Sequence, residues 1–119
     1  DAVIANYAAR VNGLDCFALT KLDVLDTLAE IKICVAYHID KKQITNFPAD
    51  LKILKQCQPE YITVPGWGVP TKQIRNYESL PENAKKYVET IESSVGIPIA
   101  IISVGPDRDQ TIFRERFKL

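Results

Sequence analysis

Methionine is absent from the sequence, and the five glycines are dispersed, so no Gly-rich phosphate-binding loop is present. His38 is the single histidine, with no second His and no Ser or Cys nucleophile beside it in sequence. That leaves neither a metal-ligand pattern nor a nucleophile–base pair. Net charge is absent too. Fifteen basic residues offset fifteen acidic ones, and no run of like charge exceeds two. Nothing here is a footprint for nucleic acid or for an acidic membrane surface. Apolar runs are short, as in Ile97 to Ile102, so no segment can span a bilayer, and the N-terminus lacks a signal pattern. The three cysteines, Cys16, Cys34 and Cys57, form no Cys-x-x-Cys pair. We expect three reduced, mostly buried thiols in a cytoplasmic protein. Because the chain starts at Asp1 and holds no Met, we expect Asp1 to be a truncation boundary.

What is there is the composition of one ordinary globular domain over 1–119, with 46% hydrophobic and 25% charged residues. Residues 2–12 read as a helix with Ile4, Ala8 and Val11 on one stripe, Val3 and Tyr7 beside it, and Gly13 as its stop. Residues 16–22 read as a strand buried on both faces and ending at Asp23. Alternation from Ile31 to Ile39 gives the clearest strand, with Ile31, Ile33, Val35, Tyr37 and Ile39 on one face. A turn at Asp40-Lys41-Lys42 leads into a return strand over 43–47. A short helix over 50–56 and a strand over 61–64 precede the turn-rich Pro65-Gly66-Trp67-Gly68, where Trp67 reads as a loop anchor.

Residues 81–95 form the best helix, with Pro81 at its first position and an apolar stripe of Ala84, Tyr87, Val88, Ile91 and Val95. A second doubly buried strand over 97–103 and a last strand over 111–117 close the chain. The layout is mixed α/β: two buried central strands, an antiparallel hairpin or meander, and flanking helices. In such sheets ligands collect at the carboxyl ends of strands, here the ends at Asp23 and at Gly105.

Lys21 and Asp23 are two residues apart, which on a strand puts both side chains on one face. A carboxylate is a two-oxygen acceptor, and guanine presents two adjacent donors, N1–H and the exocyclic amino group. Such charge-assisted bidentate pairs are strong, and adenine offers an acceptor where a donor is needed. The aliphatic stem of Lys21 can lie along the base. At the other strand end, Ser103, Gly105 and Pro106 supply a hydroxyl and backbone. Gly105 permits close approach or a positive φ. The same residues also have a plain structural reading, in which Lys21 and Asp23 form a local salt bridge or Asp23 caps residues 25 and 26. Asp107 and Asp109 read as a solvated turn rather than a Mg²⁺ site.

The string Leu19-Thr20-Lys21-Leu22-Asp23-Val24-Leu25-Asp26 resembles a signature of the adenylosuccinate synthetase family. The likeness continues through Ile31 to Tyr37, Tyr61 to Trp67, Leu80 to Ala84, Val95 to Pro98 and Ser103 to Ile112, in order and over essentially the whole chain. The resemblance implies a C-terminal portion of a larger α/β ligase. That enzyme joins IMP and L-aspartate with GTP hydrolysis, giving adenylosuccinate, GDP and phosphate. It implies that Lys21, Asp23, Ser103, Gly105 and Pro106 hold the guanine of GTP or GDP. It also implies a cytoplasmic homodimer dependent on Mg²⁺, whose ligands lie outside this segment.

The family's Gly-Asp-Glu-Gly-Lys-Gly loop with its catalytic Asp, its catalytic His and its Arg-rich aspartate-binding loop have no counterpart here. No catalytic residue and no metal ligand are therefore expected. The expected activity of the isolated chain is weak guanine binding without turnover. The rival readings are a free-standing nucleotide-binding or interaction module, and a purely structural domain.

Overall fold

The computed structural model describes residues 1–114 and 117. Helix α1 spans Ala2–Asn12, with Asp1 as its cap: Asp1 Oδ1 accepts from the Ile4 N–H at 3.0 Å, and Gly13 closes the far end in the left-handed conformation. The face it buries is Ala2, Val3 and Ala9. The expected stripe is the outward one, since Ile4, Tyr7 and Val11 are exposed and Val11 keeps 62% of its surface. Small side chains let α1 approach α3 closely, and a pattern read from large residues misses that face.

Strand β1 is Phe17–Leu19, shorter than expected and half-buried, with Ala18 exposed. It pairs in parallel with β5, Ile99–Ser103, in the register Phe17↔Ile99 and Leu19↔Ile102. Strand β6, Thr111–Phe113, runs antiparallel along the other side of β5. Residues 115 and 116 of the expected last strand lie outside the described residues. The first sheet thus has the order β1-β5-β6.

The second sheet is antiparallel, β3-β2-β4, built from β2 (Glu30–Ile39), β3 (Lys42–Ile44) and β4 (Gln58–Pro65). Asp40 and Lys41 both take positive φ, 48° and 66°, and join β2 to β3 in a two-residue turn of the mirror-image type that matches strand twist. Val35 is the extra residue of a bulge between Cys34 and Ala36. The alternation expected along β2 therefore breaks there. Ile31 and Ile33 face the main core, whereas Tyr37 joins Cys34 and Val3 in a second, smaller cluster. The short α2, Leu51–Leu54, is capped by Asp50, whose carboxylate accepts from the Lys52 N–H at 2.7 Å.

Helix α3, Glu82–Val95, starts after Pro81 and ends at Gly96 with φ 88°. Ala84, Val88 and Val95 are buried along its length, with Tyr87 and Ile91 packed against the same core. Burial holds the Tyr87 phenol above its ordinary pKa. Helix α3 carries the ion pair that ties the first sheet together. Arg114 Nη1 donates to Glu92 Oε1 at 2.7 Å and to the Ile99 carbonyl at 3.1 Å, while Glu92 Oε2 accepts from the Ile99 N–H at 2.9 Å. The Arg114 guanidinium also lies 4.3 Å from the Tyr77 ring centroid. All three cysteines are free thiols. Cys34 is buried, but Cys16 is exposed, against expectation.

Candidate base-binding site

Parallel pairing puts the carboxyl ends of β1 and β5 side by side, so Thr20 and Lys21 follow Leu19 just where Ser103 and Val104 follow Ile102. Beyond that point the chain departs from the strand expected through Leu22. Lys21 takes φ 61° and ψ 36°, the left-handed conformation, and Leu22–Leu25 then forms a single 3-10 turn. A left-handed non-glycine residue is strained by about 1–2 kcal/mol, and such strain gathers at functional sites. Lys21 and Asp23 accordingly do not share one face of a strand. The turn is seated by Leu22, which is 1% exposed, and is closed by backbone bonds from Val24 to Lys21 and from Asp26 to Asp23.

Both plain readings of Asp23 meet a different geometry. Its ion-pair partner is Lys72, with Nζ 3.9 Å from Oδ2, and not Lys21. Its side chain is only 12% exposed, yet its carboxylate accepts no hydrogen bond from any described residue; the Asp26 N–H goes to the Asp23 backbone carbonyl. Such an acceptor pair is able to take donors from water or from a ligand.

The facing loop is held by its own contacts. Ser103 Oγ donates to the Gly105 carbonyl at 2.9 Å, the Val104 N–H donates to the Gln110 carbonyl at 2.9 Å, and Gln110 Oε1 accepts from the Asp107 N–H at 3.0 Å. Val104 is fully buried, and Pro106 is exposed. Of the two roles open to Gly105, close approach is the one realised. A Cβ there would sit 2.1 Å from Gln110 Oε1, and its φ is not positive. Asp109 pairs with Arg75 at 3.5 Å.

Sequence reasoning missed the segment that joins these two walls. Asp26 accepts from Trp67 Nε1 at 2.7 Å, and from the Thr71 N–H and hydroxyl at 2.8 Å each. Thr71 is fully buried, and Trp67 packs on Tyr87 with ring centroids 5.8 Å apart, the loop-anchor role expected of it. This clamp brings Lys72 beside Asp23. The Asp26 position lay within the recognised string, but Lys72 and Thr71 sit in a loop with no periodicity to mark them. His38 stands apart on β2, 2.5 Å from Glu60 Oε2.

The chain matches the family described as Adenylosuccinate synthetase over residues 1–112. It is 51% identical over 115 residues to the adenylosuccinate synthetase of Gloeobacter violaceus, a match covering 97% of this chain and 26% of that protein. The Microcystis aeruginosa protein of the same name is 52% identical over 115 residues. That of Alkaliphilus metalliredigens is 49% identical over 116, covering 98% of this chain and 27% of that protein. Among solved structures, fully ligated adenylosuccinate synthetase from Plasmodium falciparum superposes with a TM-score of 0.92 at 34% identity, over 97% of this chain and 28% of that one. The chain spans about a quarter of the length of the curated relatives it matches.

Proposed function

Because this chain belongs to the adenylosuccinate synthetase family, we propose that it is the part of such a ligase that recognises the guanine base of GTP. The parent reaction in this reading joins IMP and L-aspartate, with GTP cleaved to GDP and phosphate. One observation carries the reading. The Asp23 carboxylate, 12% exposed and without a hydrogen bond from any described residue, stands at the carboxyl end of β1 beside the Ser103–Pro106 end of β5. Guanine N1–H and its amino group are a matched pair of donors for that carboxylate. Lys21, Ser103, Gly105 and Pro106 complete the slot, with the Gly105 N–H toward O6, since the Val104 and Asp107 N–H groups go to Gln110.

The chemistry itself needs groups that this chain does not supply, so the isolated chain binds without turnover. Its affinity for guanine nucleotides is roughly millimolar, ~4 kcal/mol, since phosphate contacts are missing. Mg²⁺ belongs to the parent reaction but does not fit here: among the described residues no three His, Cys, Asp or Glu side chains converge, and Asp109 is engaged by Arg75. We assign the whole protein to the cytoplasm, as a homodimer. Among the described residues no helix is long and apolar enough to cross a membrane.

The test is an NMR titration of the chain with GMP and with AMP, which carry the same phosphate. We expect the parent to prefer GMP. Asp23→Asn should abolish that preference and leave the unfolding midpoint in place. A preference that survives Asp23→Asn, or turnover of IMP, aspartate and GTP by the chain alone, would sink the reading.

A further inference from the structure

We infer that Lys72 is a positioning residue of the base site that sets guanine selectivity through Asp23, an inference that rests on the guanine reading of that carboxylate. Three features fix the backbone at Lys72, whose side chain stays 57% exposed. Its neighbour Thr71 is pinned by the two hydrogen bonds to Asp26. The turn that follows is closed by the Ile74 N–H donating to the Thr71 carbonyl at 2.9 Å, and by Arg75 Nη1 donating to the Lys72 carbonyl at 2.5 Å. Arg75 then reaches Asp109 in the opposite loop at 3.5 Å. The turn 71–75 is thus a strap tied to both walls of the slot.

The separation of Lys72 from Asp23 has chemical content. At 3.9 Å, Nζ is beyond hydrogen-bonding distance of Oδ2, so it supplies charge without consuming an acceptor position. Both carboxylate oxygens keep their lone pairs for the two donors of a guanine edge. A neutral base laid on Asp23 strips water from it and brings no charge in return. A buried carboxylate without a counter-charge is costly, and a cation one ion-pair distance away offsets that cost more strongly as water leaves. Adenine presents an acceptor to the carboxylate and draws no such benefit. Lys72 therefore acts on the difference between the two bases.

The experiment uses the 119-residue chain, titrated with GMP and AMP and read by amide chemical shifts. Lys72→Ala should weaken GMP about fivefold, leave AMP unchanged, and move the thermal midpoint by no more than about 2 °C. Lys72→Arg should restore GMP binding to within about twofold of the parent. At about 0.5 M salt the gap between parent and Lys72→Ala should narrow. An unchanged GMP preference in Lys72→Ala overturns the inference. So does equal weakening for GMP and AMP, which would put Lys72 on the phosphate. The Asp23→Asn variant separates the two layers. If it loses the preference while Lys72→Ala keeps it, only the role of Lys72 falls. If it also keeps the preference, or the parent shows none, the base-slot reading falls and takes this inference with it.

Discussion

Asp26 holds Thr71 by two hydrogen bonds across 45 residues of sequence, one from the backbone N–H and one from the hydroxyl, both at 2.8 Å. With Trp67 Nε1 as a third donor, removal of this carboxylate leaves three polar hydrogens without their acceptor. Asp26→Ala should lower stability by about 3 kcal/mol in urea denaturation, because hydrogen bonds to a charged group are worth ~1.5–3 kcal/mol and leaving part-buried donors unmade adds to that. A loss below about 0.5 kcal/mol would mean that the loop is held by packing alone.

Gly66→Ala should be worse tolerated than Gly105→Ala, although both positions are crowded. At Gly66 a Cβ would lie 1.8 Å from the Leu28 carbonyl oxygen, which is backbone and cannot swing away. At Gly105 the obstacle is the end of the flexible Gln110 side chain. We expect a loss of about 3 kcal/mol at Gly66 and about 1 kcal/mol at Gly105, the latter from the broken bond to the Asp107 N–H. Equal losses in thermal unfolding would contradict this ordering.

Arg114 and Glu92 are 10% and 14% exposed in their side chains, so their ion pair is nearly out of water. Arg114→Met should cost about 1.5–3 kcal/mol, since it removes a charge-assisted hydrogen bond from Glu92 and takes the cation from the Tyr77 face. Comparing urea midpoints of the variant and the parent checks it.

Glu60 is held below its ordinary value of 4.5, first by the hydrogen bond from Gln43 and then by that with His38. A depressed carboxylate pKa means that the unfolded chain binds the proton more tightly. The contribution of Glu60 is complete above about pH 4.5 and disappears as pH falls through the lower folded value. Between pH 5 and 3, the parent should therefore lose stability more steeply than Glu60→Gln. Parallel pH profiles would show that this exposed cluster contributes nothing.

Where side-chain size and backbone period agree, the sequence was a reliable guide. Helix α3 shows its large apolar stripe, and β5 its uninterrupted Ile-rich run, so both lie where expected. Helix α1 buries Ala2, Val3 and Ala9 and presents Ile4 and Val11 outward, an arrangement that side-chain size does not signal. The bulge at Val35 and the left-handed Lys21 are backbone events set by tertiary pairing, and neither residue type announces them. Asp23, singled out by donor–acceptor logic, lies on a 3-10 turn rather than a strand. Its partner Lys72 was out of reach, because proximity across 49 positions of loop and sheet is a product of the clamp at Asp26.

The register that sets Leu19 beside Ile102 also sets the order in which the chain can close. The β2–β3 hairpin closes through two residues and forms locally, within microseconds in isolated hairpins. The β1–β5 pair must close roughly eighty residues of chain, and such non-local parallel pairing is intrinsically slow. Within this chain β1 therefore stays without its neighbour β5 after the hairpin can form. Asp23 and the Ser103–Gly105 loop come together only at that closure, so their juxtaposition reports completed folding rather than any early intermediate.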